Sequence, residues 1–259
     1  MLNIDKRAYC SRLIGVNPFE KLLFSFLTMV VCLAADSIVV SVLTIILMSG
    51  VSILKGGVPW RVYTKAMLVP FAFLIIGVVT IALNVSDEPW NLLWGVSISG
   101  VTVGVTASSL YSAANLFFKA LGAVSCLYFL SLNTPMLDIV SVLRKLKVPE
   151  ILLELMSLVY RFIFVLMETA ECIYTSQASR LGYSSVISGY RSLGQLISTL
   201  FICSYKRSQD LYTALEARCY SGRLSVMEMD YAVSYKNIVF IIMVNIMLIA
   251  AAVFTGGLL

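Results

Sequence analysis

The sequence has no histidine, and only 13% of its 259 residues are charged. The first absence removes the usual general base, the commonest metal ligand and the middle member of a Ser/His/Asp relay. The second excludes an ordinary soluble domain, because 59% of the chain is hydrophobic where soluble proteins carry about 25% charged residues. The six cysteines, at 10, 32, 126, 172, 203 and 219, form no CxxC pair and read as reduced, structural thiols. A GxxxxGK[ST] phosphate loop is also missing, so any ATP chemistry must belong to another chain. A net charge of +5 then bears on orientation in a membrane and not on a nucleic-acid partner.

What the sequence does contain is a series of charge-free runs: residues 22–35, 37–54, 66–86, 89–118 continuing past Lys119 to 137, and 237–259. A charge near the bilayer centre costs roughly 2.5 to 3.5 kcal/mol, so each run is expected to be a membrane segment. The first is short for a span. Lys21 can snorkel and Asp36 can sit at the far interface, so residues 20–35 and 37–54 are expected to form a tight hairpin turning at Ala34-Ala35-Asp36-Ser37. A secretory signal fits the first run less well, because the 21 residues before it mix Asp5 and Glu20 with basic residues and a second apolar run follows at once.

Lys and Arg collect on the cytoplasmic side. Residues 1–21, 55–65 and 138–236 hold 18 of the 19. This predicts an inside N-terminus, a first outside excursion near Asp87-Glu88-Pro89, and one crossing by residues 89–137 as a long or broken helix with Lys119 near the inner half. A last span at 237–257 follows. The expected fold is therefore all-α with about five transmembrane helices. Residues 1–137 form the N-terminal transmembrane part, 138–236 a cytoplasmic helical part, and 237–259 the C-terminal transmembrane helix.

Residues 138–236 carry no strand pattern and no Pro/Gly-rich linker. Asp138 to Lys147 is a short basic amphipathic stretch, and Pro149 opens a helix predicted from Glu150 to about Leu181. Glu154, Arg161 and Glu168 recur at sevens on one side of it, opposite Leu153, Met156, Val159, Tyr160 and Ile163. A second long amphipathic helix is predicted from about Tyr190 to Ala217. Both are too charged to span a bilayer and are expected to lie under or along its inner leaflet.

Each predicted helix ends in an arginine among small residues, Ala178-Ser179-Arg180-Leu181-Gly182 and Glu216-Ala217-Arg218-Cys219. An arginine in a last turn favours the helix dipole by roughly 0.3 to 1 kcal/mol, and glycine beyond it is an ordinary stop. Duplication adds a second reading: two guanidinium forks on one surface suit bidentate capture of carboxylates in a partner. Gly100, Gly104 and Gly122, among Ser97, Ser99, Thr102 and Thr106, read as a small-residue packing surface on the fourth span.

These residues carry a family resemblance. The whole chain resembles the transmembrane T component of energy-coupling factor (ECF) transporters, of the CbiQ type. The resemblance rests on Ile4-Asp5 through Ala8-Tyr9, Ser11-Arg12-Leu13 and Pro18-Phe19-Glu20-Lys21-Leu22. It continues in Asn133-Thr134-Pro135, Leu143-Arg144, Val148-Pro149 and the two arginine ends, which are similar to paired Ala-Arg-Gly signatures. It implies a non-catalytic subunit without a cofactor or a metal site of its own. Its implied partners are two ATP-binding cassette ATPase subunits and a substrate-binding membrane (S) subunit, with no nucleic acid. Arg180 and Arg218, with Ala178, Ser179, Glu216, Ala217 and Cys219 beside them, would dock into the ATPases. Residues 138–236 would be coupling helices, and the cargo cobalt, or nickel. The sequence departs from the signature at Leu181 and at Cys219, where glycine is usual and positive φ is easiest. A T component for a vitamin is the alternative within this class. A stand-alone secondary carrier or membrane enzyme is the rival outside it, and it would need ionisable groups inside the spans, for which Lys119 is the one candidate.

Overall fold

A computed structural model describes residues 8–86, 92–98, 101–220, 231 and 234–255. It divides into two compact units, residues 2–139 with 230–259, and residues 140–229.

In the first unit, Asn17 opens helix α1 (Pro18–Ala34): its side chain accepts from the Phe19 amide at 3.0 Å, and Pro18 occupies the first turn, where no amide is needed. Residues 35–37 turn the chain into α2 (Ile38–Gly50) at the hairpin the charge pattern predicts, and α2 continues as a π-helix over Val51–Lys55. Helix α3 (Trp60–Ala82) follows, with Pro70 inside it. After the three strands described below come α4 (Ala107–Asn133) and, beyond the second unit, α8 (Tyr235–Phe254). Four segments, Ile38–Lys55, Trp60–Ile81, Ser108–Asn133 and Tyr235–Phe254, are long and apolar enough to cross a bilayer. Helix α1, the fifth, has 17 residues, about 25 Å of helix, at the lower limit for a span. The protein is an all-α, multi-pass membrane protein with one small β insertion.

The core of this unit is built by α1, α2, α4 and α8. Phe24, Val40, Met48, Cys126, Phe129, Ile241, Val244 and Leu248 are buried together, and the Phe24 and Phe129 rings meet edge to face at 5.4 Å. Gly122 is required here, because a Cβ on it would lie 2.7 Å from Cys32 Sγ. The expectation that Gly122 serves close helix packing therefore holds. Helix α3 instead lies at the periphery: Val69, Phe73 and Ile76 are at least 70% exposed, a surface suited to lipid.

Two expectations are corrected. Residues 89–137 are not one helix. Strands β1 (Leu83–Ser86), β2 (Leu92–Ile98) and β3 (Val101–Thr106) form an antiparallel sheet in the order β1-β3-β2, and α4 starts only at Ala107. The cause is the period-2 Val/Thr alternation of Val101-Thr102-Val103-Gly104-Val105-Thr106, which suits a strand and not a helix. Gly104 pairs with Gly95 across the sheet, so the GxxxG pattern is not a helix face; Gly100 lies outside the described residues, as do Asp87, Glu88 and Pro89. Lys119 does not lie on the side of α1 and α2 where residues 8–21 and 55–65 sit, as its expected inner position requires. Its Nζ lies 2.7 Å from Asp36 Oδ1, level with the turn between α1 and α2, and this pair accounts for the charge within α4.

A short helix α5 (Met136–Lys145) leads toward the second unit. That unit contains α6 (Glu150–Ser179) and α7 (Val186–Glu216). Helix α7 begins four residues earlier than expected because Ser185 caps it, accepting from the Ser188 amide at 3.2 Å. The two helices run antiparallel. Near their connecting turn Gln177 Nε2 donates to Ser192 O at 3.1 Å, and at the opposite end the Tyr220 hydroxyl donates to Glu154 Oε2 at 2.9 Å.

Candidate docking site

The two arginine ends share one backbone solution. At the end of α6, the Gly182 amide donates to Gln177 O at 2.8 Å and the Leu181 amide to Ala178 O at 3.0 Å, with Leu181 at φ 59°. At the end of α7, the Tyr220 amide donates to Leu215 O at 3.1 Å and the Cys219 amide to Glu216 O at 3.0 Å, with Cys219 at φ 55°. Both are Schellman caps whose left-handed residue directly follows the arginine. Leu181, and not Gly182, takes the left-handed conformation at the first end. Cys219 adopts it at the second, despite its Cβ. A third helix, α5, ends the same way at Lys147, φ 61°.

The turn after Arg180 is tightly braced. Gly182 O accepts from Ser188 Oγ at 2.9 Å and from Ser192 Oγ at 2.8 Å. The Tyr183 hydroxyl donates to Gln177 Oε1 at 2.8 Å, and its ring lies against Tyr174, centroids 4.8 Å apart. Gly182 must be glycine for space and not for φ: a Cβ would meet Ser192 Oγ at 2.8 Å and Gln177 O at 2.9 Å. Beside the arginine, Ala178 is exposed and Ser179 Oγ donates to Thr175 O at 2.9 Å.

The second end is held differently. Glu216 accepts from the Tyr212 hydroxyl, which raises the Tyr212 pKa, while Ala217, Arg218 and Cys219 are exposed. Tyr220 reaches back to Glu154, and the carboxylate at its hydroxyl raises the Tyr220 pKa. Ser221 and Gly222 lie outside the described residues. The structure therefore brings Ala178, Ser179 and Arg180 together, and separately Glu216, Ala217, Arg218 and Cys219. It places the two sets at opposite ends of the hairpin. At ~1.5 Å per residue, the helix run from Glu154 to Arg180 is about 39 Å long. Both guanidinium groups are exposed, and among the described residues neither lies within ion-pair distance of a carboxylate.

A polar network in the first unit was not expected from the sequence. Glu20, 4% exposed, accepts from the Ser234 amide and from Asn237 Nδ2, both at 2.8 Å. Lys21 Nζ donates to Asn133 O at 3.3 Å, and Ser11 Oγ lies 3.0 Å from Asn133 Oδ1 and 3.1 Å from Gly56 O. Tyr231 donates to Asp138 at 3.2 Å. Burial raises the Asp138 pKa against the opposing pull of Tyr231 and Lys21, and burial and the Asp138 charge raise that of Tyr231. These groups tie the N-terminal segment, the α4–α5 joint and the start of α8 into one point. The visible signal was a Glu-Lys pair at the head of an apolar run, which looks like simple snorkelling until its partners are known. Among the described residues, no three His, Cys, Asp or Glu side chains gather in a way that would hold a metal ion.

Four helices long and apolar enough to cross a bilayer define a multi-pass membrane protein, and α6 and α7, the two longest helices described, are not among the four. Residues 11–229 match the family model of the cobalt transport protein CbiQ. The cobalt transport protein CbiQ of Salmonella typhimurium is 32% identical over 224 residues, covering 86% of this chain and 98% of that one. An uncharacterized protein of Methanocaldococcus jannaschii is 31% identical over 252 residues, 97% and 93% of the two chains. The energy-coupling factor transporter transmembrane protein EcfT of Ruminiclostridium cellulolyticum is 25% identical over 219 residues, 80% and 78%. The chain belongs to the CbiQ family, and it is a membrane component of a transporter of the energy-coupling factor type.

Proposed function

We propose that this chain is the non-catalytic T subunit of an ECF-type ABC importer, converting the movement of two ATP-binding cassette ATPases into gating of a substrate-binding membrane subunit. Arg180 and Arg218 are the docking residues, with Ala178, Ser179, Glu216, Ala217 and Cys219 forming the close surface around them. The observation that carries this reading is the pair of matching arginine-bearing helix caps at the two ends of one hairpin, about 39 Å apart by helix rise. Two separated knuckles with the same backbone cap suit two separated partners of one kind, and exposed guanidinium forks suit carboxylate capture. Residues 138–236 form the cytoplasmic coupling part, with 1–137 and 237–259 in the membrane and the N-terminus inside, as the Lys and Arg distribution favours.

The apolar faces left open on the hairpin, including Leu155, Val159 and Ile163 on α6 and Tyr190, Ile197 and Phe201 on α7, each more than 40% exposed, would meet the substrate-binding subunit. Cobalt is the cargo that the names of the relatives favour; nickel is the second candidate, from the family resemblance alone. The test is copurification of the ATPases with the Arg180→Glu/Arg218→Glu double variant. Loss of both ATPases with the membrane fold intact is expected; retention at normal yield would show that the arginines do not dock them.

A further inference from the structure

We propose that Tyr220 is a positioning residue: its hydrogen bond to Glu154 is a releasable latch that sets where the second arginine end sits relative to the start of α6. The inference rests on the docking reading for its consequence in transport, but its geometry stands on the hairpin alone. The two helices are pinned at two places and separated between them. At the turn, the Gly182 carbonyl and the Gln177 side chain make four hydrogen bonds with Tyr183, Ser188 and Ser192, two of them to Gly182 O. Toward the other end, Leu158, Arg161, Phe162 and Val165 of α6 and Arg207, Asp210 and Leu211 of α7 line a half-open cleft of about 400 Å³. Side chains do not interdigitate across a space of that size, so packing does not fix the helix spacing there. The Tyr220–Glu154 bond lies just beyond this cleft and closes the hairpin over it, joining residues 66 apart in sequence.

The chemistry suits a catch that opens. The bond is exposed, so water competes for both partners and the latch is weak enough to exchange. It is also aimed at the Arg218 end, because Tyr220 is the residue whose amide completes the Schellman cap on Leu215 O. Release of the phenol leaves the Arg218 end held by its backbone cap alone and free to move with the end of α7, whereas nothing comparable can happen at Arg180 without breaking the bonds around Gly182. The first end is a fixed dock and the second a hinged one. A dock populated for only part of the time binds more weakly by that fraction, so the latch tunes the affinity of one ATPase site and leaves the other unchanged.

The experiment uses the full chain in lipid nanodiscs, with the four exposed cysteines, Cys10, Cys172, Cys203 and Cys219, replaced by serine. Spin labels at Leu152→Cys and Ala214→Cys report the spacing of the latched end by electron double resonance. The expected result is a narrow distance distribution that broadens in Tyr220→Phe and in Glu154→Ala, with the latched-to-open ratio falling about threefold. Tyr212→Phe, which removes a phenol bonded within α7 itself, is expected to leave it narrow. A distribution that is unchanged in Tyr220→Phe, or already broad in the parent, overturns the latch; so does equal broadening in Tyr212→Phe, which would mean general fraying of the helix end. No ATPase is present in this measurement. Its failure would leave the docking reading standing, and loss of the docking reading would leave the latch standing.

Discussion

The arginine ends of α6 and α7 have the same backbone and different surroundings. Each cap places an L-residue in the left-handed region directly after the arginine, at φ 59° and 55°. Only the first is then held by a turn whose carbonyl accepts two serine hydroxyls. The second is tied by one exposed phenol to a carboxylate on a different helix. The difference teaches that a repeated motif need not be equally braced: the cap determines how the arginine leaves the helix, and the bonds beyond it determine how firmly that direction is held.

The largest effect that would break this comparison comes from reversing one arginine at a time. Arg180→Glu should weaken ATPase retention by about 2 to 5 kcal/mol, the usual range for losing one partner of a docked charge pair. Arg218→Glu should cost less, because its dock is populated for part of the time. Binding isotherms with purified ATPases check this, and equal losses would mean that the asymmetry has no effect on assembly.

Next comes Gly182→Ala, which forces a methyl group against Ser192 Oγ and Gln177 O. It should destabilise the first end by about 1 to 3 kcal/mol, seen as faster amide exchange over residues 180–185 with residues 216–220 unaltered. A spread of the effect to both ends would show that the two are coupled through the hairpin. Ser188→Ala and Ser192→Ala should each cost about 1 kcal/mol at the same turn, measured in the same exchange experiment, since Gly182 O keeps one donor in either single variant. The smallest effects are gains: Leu181→Gly and Cys219→Gly each relieve a left-handed L-residue and should stabilise their cap by up to about 1 kcal/mol. Near-equal gains are expected in thermal unfolding, because the two φ values are nearly the same.

Much of this architecture is legible in the sequence because charge is a strong ruler in a bilayer. The turn at residues 35–37, the membrane helices and the two long amphipathic helices all follow from where charges are missing. The same ruler fails between residues 89 and 118, where a strand and a helix are equally uncharged; only the alternation of Val101, Val103 and Val105 with Thr102 and Thr106 distinguishes them, over too few residues to dominate an apolar run. Lys119 was placed by the rule for inner charges, but its depth is set by Asp36, 83 positions away in the chain. The arginine ends were legible as repeats. That Leu181 and not Gly182 carries the left-handed turn was not, because glycine nearby looks like the natural stop. The Glu20–Asn237 and Lys21–Asn133 contacts depend on tertiary approach, which no local pattern encodes.

The most direct test of the central claim is cross-linking from Ala178→Cys and, separately, Ala217→Cys to the ATPase subunits in the assembled transporter. The account predicts cross-links from both positions, each to an ATPase and neither to the substrate-binding subunit. Absence of ATPase cross-links from both positions in an intact, transport-competent complex would contradict it.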